Sequence, residues 1–204
     1  MWTVPDGRRL WHKKGVVKQS RARRPPKPLD EAALNELALR YVGRFATTRV
    51  KLKSYLARKV RERGWVGERE PDFARIADRF AELGYVNDEA YAIAKSQALT
   101  SRGYGKRRVM DALRVAGIDE EGGAAAHEHA ESEALSAALK FARRRRIGPF
   151  AEKAERDPKQ RQKALAAMVR AGHDYTLASA ILAVEPENLS NLDQVLERFR
   201  STAA

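Results

Sequence analysis

The chain predicts an all-α fold, an elongated array of three tandem three-helix repeats followed by a C-terminal helix. Three observations carry that expectation. From Asp30 onward apolar residues recur every three or four positions and nowhere alternate as strands require. Capping and stop residues separate the apolar runs. The segment Leu113-Arg-Val-Ala-Gly117 also returns as Met168-Val-Arg-Ala-Gly172, an offset of 55 residues (113 to 168). Three-helix units with one apolar stripe each bury one another by stacking, which generates a long accessible face. A compact bundle with chance similarity is the alternative.

The elements follow in order. A basic arm, residues 1–29, precedes the first unit, residues 30–86. There Asp30 caps a helix whose buried stripe is Leu34, Leu37, Ala38, Tyr41, Val42 and Phe45. Thr47 or Thr48 caps a second helix that buries Leu52, Tyr55, Leu56 and Val60 and stops near Gly64. A third starts at Pro71 and buries Phe73, Ile76, Ala77, Phe80 and Leu83 before Gly84. The second unit, residues 87–130, opens with Asn87 or Asp88 capping a helix through Tyr91, Ala94, Ala98 and Leu99. Arg102-Gly-Tyr-Gly105 breaks it, and the next helix buries Val109, Ala112, Leu113 and Ala116 as far as Gly117. Asp119 then caps an Ala-rich segment weakened by Gly122 and Gly123. In the third unit, residues 131–185, the stripes are Leu135, Ala138, Leu139 and Ala142, then Ala164, Leu165, Met168 and Val169, then Leu177, Ala178, Ile181 and Leu182. A breaker-rich connection, Ile147 to Pro158, separates the first two. The extension, residues 186–204, carries a last amphipathic helix through Leu189, Leu192, Val195, Leu196 and Phe199.

Composition narrows the class of function. A chain of 204 residues buries roughly 70% of its unfolded surface, so it needs neither metal nor disulfide to fold. It has no cysteine, hence no disulfide framework and no thiolate zinc site, which fits a cytoplasmic protein. No apolar run reaches the ~18 residues of a membrane span, and a membrane partner is not expected. The net charge is +13. In residues 1–28 Arg8, Arg9, Lys13, Lys14, Lys18, Arg21, Arg23, Arg24 and Lys27 stand against Asp6 alone. This arm has too few apolar residues to order itself and reads as a non-specific polyanion contact, or else as a solubilising tail.

Catalytic constellations are missing. The four histidines are scattered, with only His127 and His129 close and on different sides of a helix. Gly103-Tyr-Gly105 is too short for a nucleotide loop, no nucleophile has a matching base, and the carboxylates sit at helix starts or near cations. A non-enzyme without cofactor or metal is expected. Arginine stands out instead, 27 against 13 lysines, and its planar fork suits phosphates and carboxylates. Two clusters are densest. In the first, Arg102, Lys106, Arg107 and Arg108 flank Tyr104 at a helix N-terminus, which suits phosphate capture and stacking. Alternatively, Tyr104 packs on the neighbouring unit. In the second, Arg143, Arg144, Arg145 and Arg146 end a helix, which suits either phosphate binding or complementation of the helix dipole.

Between residues 83 and 119 stand Leu83, Gly84, Tyr85, Asp88, Tyr91, Ala92, Gly103, Gly105, Arg108, Leu113, Gly117 and Ile118. In this pattern the segment resembles the RecX family of bacterial recombinase regulators. The likeness extends more weakly over residues 34–183 and departs at Lys59-Val-Arg-Glu-Arg-Gly64 before Trp65. It implies an all-helical protein of three tandem three-helix repeats. It also implies a partner, the RecA recombinase and its filaments on single-stranded DNA, whose ATP hydrolysis, strand exchange and coprotease action the protein lowers. Double-stranded DNA is a second candidate partner, and a monomer is expected. The rival reading is an autonomous helical DNA-binding protein; the helix after Gly105 carries Lys106, Arg107 and Arg108 but no Asn or Gln to read a base, which favours phosphate contact.

Overall fold

The computed structural model describes residues 27–154 and 157–186. Nearly all of the basic arm, with Arg8, Arg9, Lys13, Lys14, Arg21, Arg23 and Arg24, and the C-terminal helix expected beyond Pro186 lie outside the described residues. Within them the fold is all-α: α1 Glu31–Val42, α2 Arg49–Arg63, α3 Phe73–Glu82, α4 Asp88–Thr100, α5 Lys106–Val115, α6 Ala124–Ser132, α7 Ala134–Arg145, a 3-10 turn Gly148–Phe150, α8 Pro158–Arg170 and α9 Tyr175–Ala183. Short polar side chains start most of these helices. Asp30, Thr48, Asp72, Asn87, Asp157 and Asp174 each accept a backbone N–H of the first turn, a cap that contributes about 1 kcal/mol.

The apolar stripes close three cores in chain order. Leu34, Leu52, Leu56, Ile76 and Phe80 hold α1–α3 together. Ala92, Leu99, Val109, Leu113 and Ala126 hold α4–α6. Phe141, Met168, Ile181 and Leu182 hold α7–α9.

Several expectations are corrected. Leu29, the last residue of the predicted arm, belongs to the fold: its side chain is fully buried and its backbone forms a parallel bridge with Trp65, through Leu29 N–H to Gly64 O (3.0 Å) and Val66 N–H to Leu29 O (2.9 Å). Pro71 does not open the third helix, because the Asp72 carboxylate caps it one residue later. Phe45 and Leu83 lie past their helices and are exposed, because Gly43 and Leu83 end α1 and α3 before the stripe can reach them. The buried stripe of α4 is Ala92, Ser96, Leu99 and Thr100 rather than one through Ala94 and Ala98. Hydroxyls allow that register: Ser96 Oγ donates to Ala126 O (2.9 Å) and Thr100 Oγ1 to Ser96 O (3.0 Å). Asp119 caps the turn ahead of α6, through Gly122 N–H (2.8 Å), and not the helix itself. α6 continues to Ser132, past residue 130.

Candidate binding surface at the joint between α5 and α8

The turn that ends one middle helix seats on the N-terminus of the middle helix before it, and this happens twice. After α5, Ala116 O accepts the hydroxyl of Thr48, the cap of α2 (2.6 Å). After α8, Ala171 O accepts the N–H of Gly105, the cap of α5 (3.0 Å), and Gly172 O accepts that of Arg107 (3.1 Å). Both turns need glycine, since Gly117 and Gly172 have φ of 74° and 93°. At the second joint the backbones touch. A Cβ on Gly105 would lie 2.3 Å from Gly172 O, and one on Gly172 would lie 2.4 Å from the Arg108 nitrogen.

This geometry decides the reading of the loop Arg102–Arg108. At the N-terminus of α5 the carbonyls of Ala171 and Gly172 already accept the N–H groups of Gly105 and Arg107, so that end offers phosphate fewer backbone donors than the sequence suggests. Tyr104 is not an exposed stacking platform; it is half-buried and packs against both the second and the third core. What remains available is side-chain charge. Arg102, Lys106, Arg107 and Arg108 are exposed, as are Arg143, Arg144, Arg145 and Arg146.

The two predicted clusters meet at Tyr104. Arg144 donates an Nη1 hydrogen bond to Arg102 O. The guanidinium groups of Arg102 and Arg144 lie 5.5 and 5.9 Å from the Tyr104 ring centre, within cation–π range. Arg145 and Arg143 lean on Phe141 (5.8 Å) and Phe150 (5.0 Å). Lys106 is paired with Glu131, and Arg146, at φ 52°, with Glu152 (3.2 Å). Among the described residues Arg102, Arg107, Arg108, Arg143, Arg144 and Arg145 have no carboxylate partner. Arg143–Arg145 also occupy the last turn of α7, where they complement its dipole; a helix end uses its cations without neutralising them.

Beneath this surface lies a residue the motif reading passed over. His173, only 5% exposed, sets Nε2 3.1 Å from Gly103 O. A carbonyl only accepts, so Nε2 carries the proton and Nδ1 is a bare lone pair. That Nδ1 is buried without a partner, and the ring meets Phe141 edge-on at 5.4 Å. Burial pushes the imidazole below its ordinary value, opposed by the bond to Gly103. The one sequence signal for this seat was the recurrence of Ala-Gly at 116–117 and 171–172.

Among the described residues no group of three or more His, Asp or Glu side chains could hold a metal ion, and no helix is long and apolar enough to cross a membrane.

No protein-family model matches the chain. It is 32% identical over 179 residues to the regulatory protein RecX of Myxococcus xanthus, covering 83% of this chain and 94% of that protein. It is 37% identical over 100 residues to the regulatory protein RecX of a Mycobacterium species, covering 47% of this chain and 51% of the relative. The crystal structure of RecX from Lactobacillus salivarius matches with a TM-score of 0.53 at 18% identity, over 74% of this chain and 92% of that one, which is a likeness of fold. With one third of positions identical over almost the whole of a RecX protein, the chain belongs to the RecX family of regulatory proteins.

Proposed function

We propose that this protein binds the RecA recombinase and its filaments on single-stranded DNA, and thereby lowers ATP hydrolysis, strand exchange and coprotease activity. Family membership supports the partner. The observation that supports the surface is the set of exposed arginines at this joint that have no carboxylate partner among the described residues, with Arg102 and Arg144 over the Tyr104 ring, in a sequence without a catalytic constellation. Arg102, Arg107, Arg108 and Arg143–Arg145 present guanidinium forks to acidic side chains of the filament or to phosphate. Tyr104 holds Arg102 and Arg144 in place. Lys106 and Arg146 reach the partner only by exchanging Glu131 and Glu152 for it. The basic arm, residues 1–29, adds sequence-independent attraction to DNA. Inhibition needs no chemistry: a ligand that prefers a stalled or shortened filament shifts the equilibrium by its differential affinity.

The test is RecA ATP hydrolysis on single-stranded DNA with wild type and with Arg107→Ala/Arg108→Ala, varying the order of addition. The double substitution is expected to weaken inhibition several-fold, ~1–3 kcal/mol for two central interface cations, at unchanged melting temperature. Full inhibition by the double variant would move the interface away from this joint.

A further inference from the structure

A second surface, built from α1, α2 and α4, shares no residue with the joint just described. Tyr41 of α1 lies flat on Tyr55 of α2, with ring centres 4.0 Å apart and planes 12° from parallel. Phe45, in the turn beyond α1, joins them at 5.4 Å from Tyr41 and leaves 56% of its surface exposed. Cations stand at either end of this group. Arg58 and Lys59 lie 5.7 and 5.9 Å from the Tyr55 ring centre. One turn before Tyr55, Lys51 sits 4.5 Å over the ring of Tyr91 and donates to its hydroxyl. Along α2 the sequence of groups is therefore cation, aromatic, cation.

Core packing explains only part of it. Tyr41 and Tyr55 rest against the first core but stay half-buried, and Phe45 leaves more than half of its apolar surface in water. A ligand that is flat, apolar on its faces and negatively charged at its edge matches this arrangement in both shape and charge. Unstacked nucleobases on a phosphate backbone have those properties, and base–aromatic stacking flanked by Lys and Arg is how single strands are held without sequence preference. A duplex cannot use such rings, because its bases already stack on one another.

We infer that the Phe45–Tyr41–Tyr55 ladder, with Lys51, Arg58 and Lys59 beside it, binds the bases and phosphates of single-stranded DNA. The choice of DNA as the occupant rests on the function proposed above. The carboxylate of Glu62 competes with phosphate there, since it holds Lys59 at 2.6 Å and Arg58 at 3.7 Å.

The experiment measures anisotropy of a labelled oligo(dT) of about 15 nucleotides, and of a duplex of equal length, with the full chain and no recombinase present. Phe45→Ala is expected to weaken oligo(dT) binding about tenfold, the loss of one stacked base, and to leave duplex binding unchanged. Phe45→Trp should keep the affinity, and its indole emission should fall more on adding oligo(dT) than that of the wild-type chain, which carries Trp2, Trp11 and Trp65. Glu62→Gln should tighten binding and steepen its salt dependence. Helical circular dichroism of each variant separates these effects from misfolding. Equal losses on strand and duplex, or no loss on either, would overturn the assignment. So would a Phe45→Ala variant that binds oligo(dT) normally yet loses binding to a protein. Because the assay contains no RecA, its failure leaves the inhibition experiment untouched, and the reverse also holds.

Discussion

The joint between α2 and α5 and the joint between α5 and α8 share a backbone plan and differ in charge. In each, a positive-φ glycine turns a carbonyl onto the cap of the preceding middle helix. Around the first joint Arg49, the cation at the start of α2, is answered by carboxylates. Arg49 bonds Asp88 through both its backbone N–H (3.0 Å) and Nε (3.1 Å), with Asp78 at 4.0 Å, and Lys51 is seated on Tyr91. Around the second, only Lys106 and Arg146 find carboxylates among the described residues. Packing thus follows the repeated part of the pattern, while the capacity to bind follows what is not repeated. A surface needed only for folding has no reason to keep so many arginines unneutralised, because like charges in proximity repel and cost stability.

The joints also differ in what fills the seat, and that difference sets the largest expected effect. At Gly172 the nearest atoms to a side chain include backbone, the Arg108 nitrogen and Gly105 O, whereas at Gly117 the three nearest all belong to the Val50 side chain. Gly172→Ala should therefore cost about 3 kcal/mol or more, combining left-handed strain with a backbone displacement. Gly117→Ala should cost about 1–2 kcal/mol and be partly rescued by Val50→Gly, which removes the Cβ that would stand 2.4 Å away. Urea unfolding of the four proteins reads both values; equal costs at the two glycines would mean that the joints do not differ in closeness as described. The next effect is at the first joint. Thr48 Oγ1 donates to Ala116 O and accepts from Lys51 N–H, so Thr48→Ala removes a buried bond and a cap together and should cost about 1–2 kcal/mol. Thr48→Ser should restore most of it. A loss with Ser as large as with Ala would assign the effect to the methyl group instead.

Much of this was legible in the sequence, and the failures have physical causes. Three-and-four spacing located the helices because amphipathic burial imposes it, and Asp30, Asn87 and Gly117 marked ends where backbone groups need a partner. The α4 stripe was misplaced because Ser96 and Thr100 are buried through hydroxyl bonds to Ala126 O and Ser96 O, which hydropathy cannot register. Phe45 was assigned to the core because periodicity continues past a helix that Gly43 has already ended. The clusters at 102–108 and 143–146 were each visible as runs of charge. Their meeting at Tyr104 depends on Gly103 closing onto the backbone of α7, where a Cβ would lie 2.9 Å from the Phe141 nitrogen and 3.2 Å from Ala137 O. The α5 N-terminus looked open for the same reason, since the carbonyls that bond to it come from the end of another helix.

The smallest effect is expected at His173 and separates the two joints by pH. The first joint has no histidine in its seat, whereas the second holds a neutral imidazole with a donating Nε2 and an unpartnered Nδ1. Protonation would place a second N–H, and a charge, in a buried space. The groups facing it across the joint are the Gly103 carbonyl and the Phe141 ring, with the cationic Arg102, Arg108 and Arg144 on the adjoining segments and no carboxylate bonded to the ring. The folded-state affinity for the proton is thus depressed relative to the unfolded chain, whose histidine titrates near ~6.5. The sign follows from proton counting. Below that unfolded value the unfolded state binds a proton that the folded state refuses, so stability falls as pH drops through the ordinary histidine range and is fully present above it. His173→Gln keeps a side-chain donor for Gly103 O but cannot titrate. Its melting temperature should decline less than that of wild type between pH 7 and pH 5. Parallel declines in the two proteins would mean that acid sensitivity arises at carboxylates elsewhere and that the second joint does not sense protons.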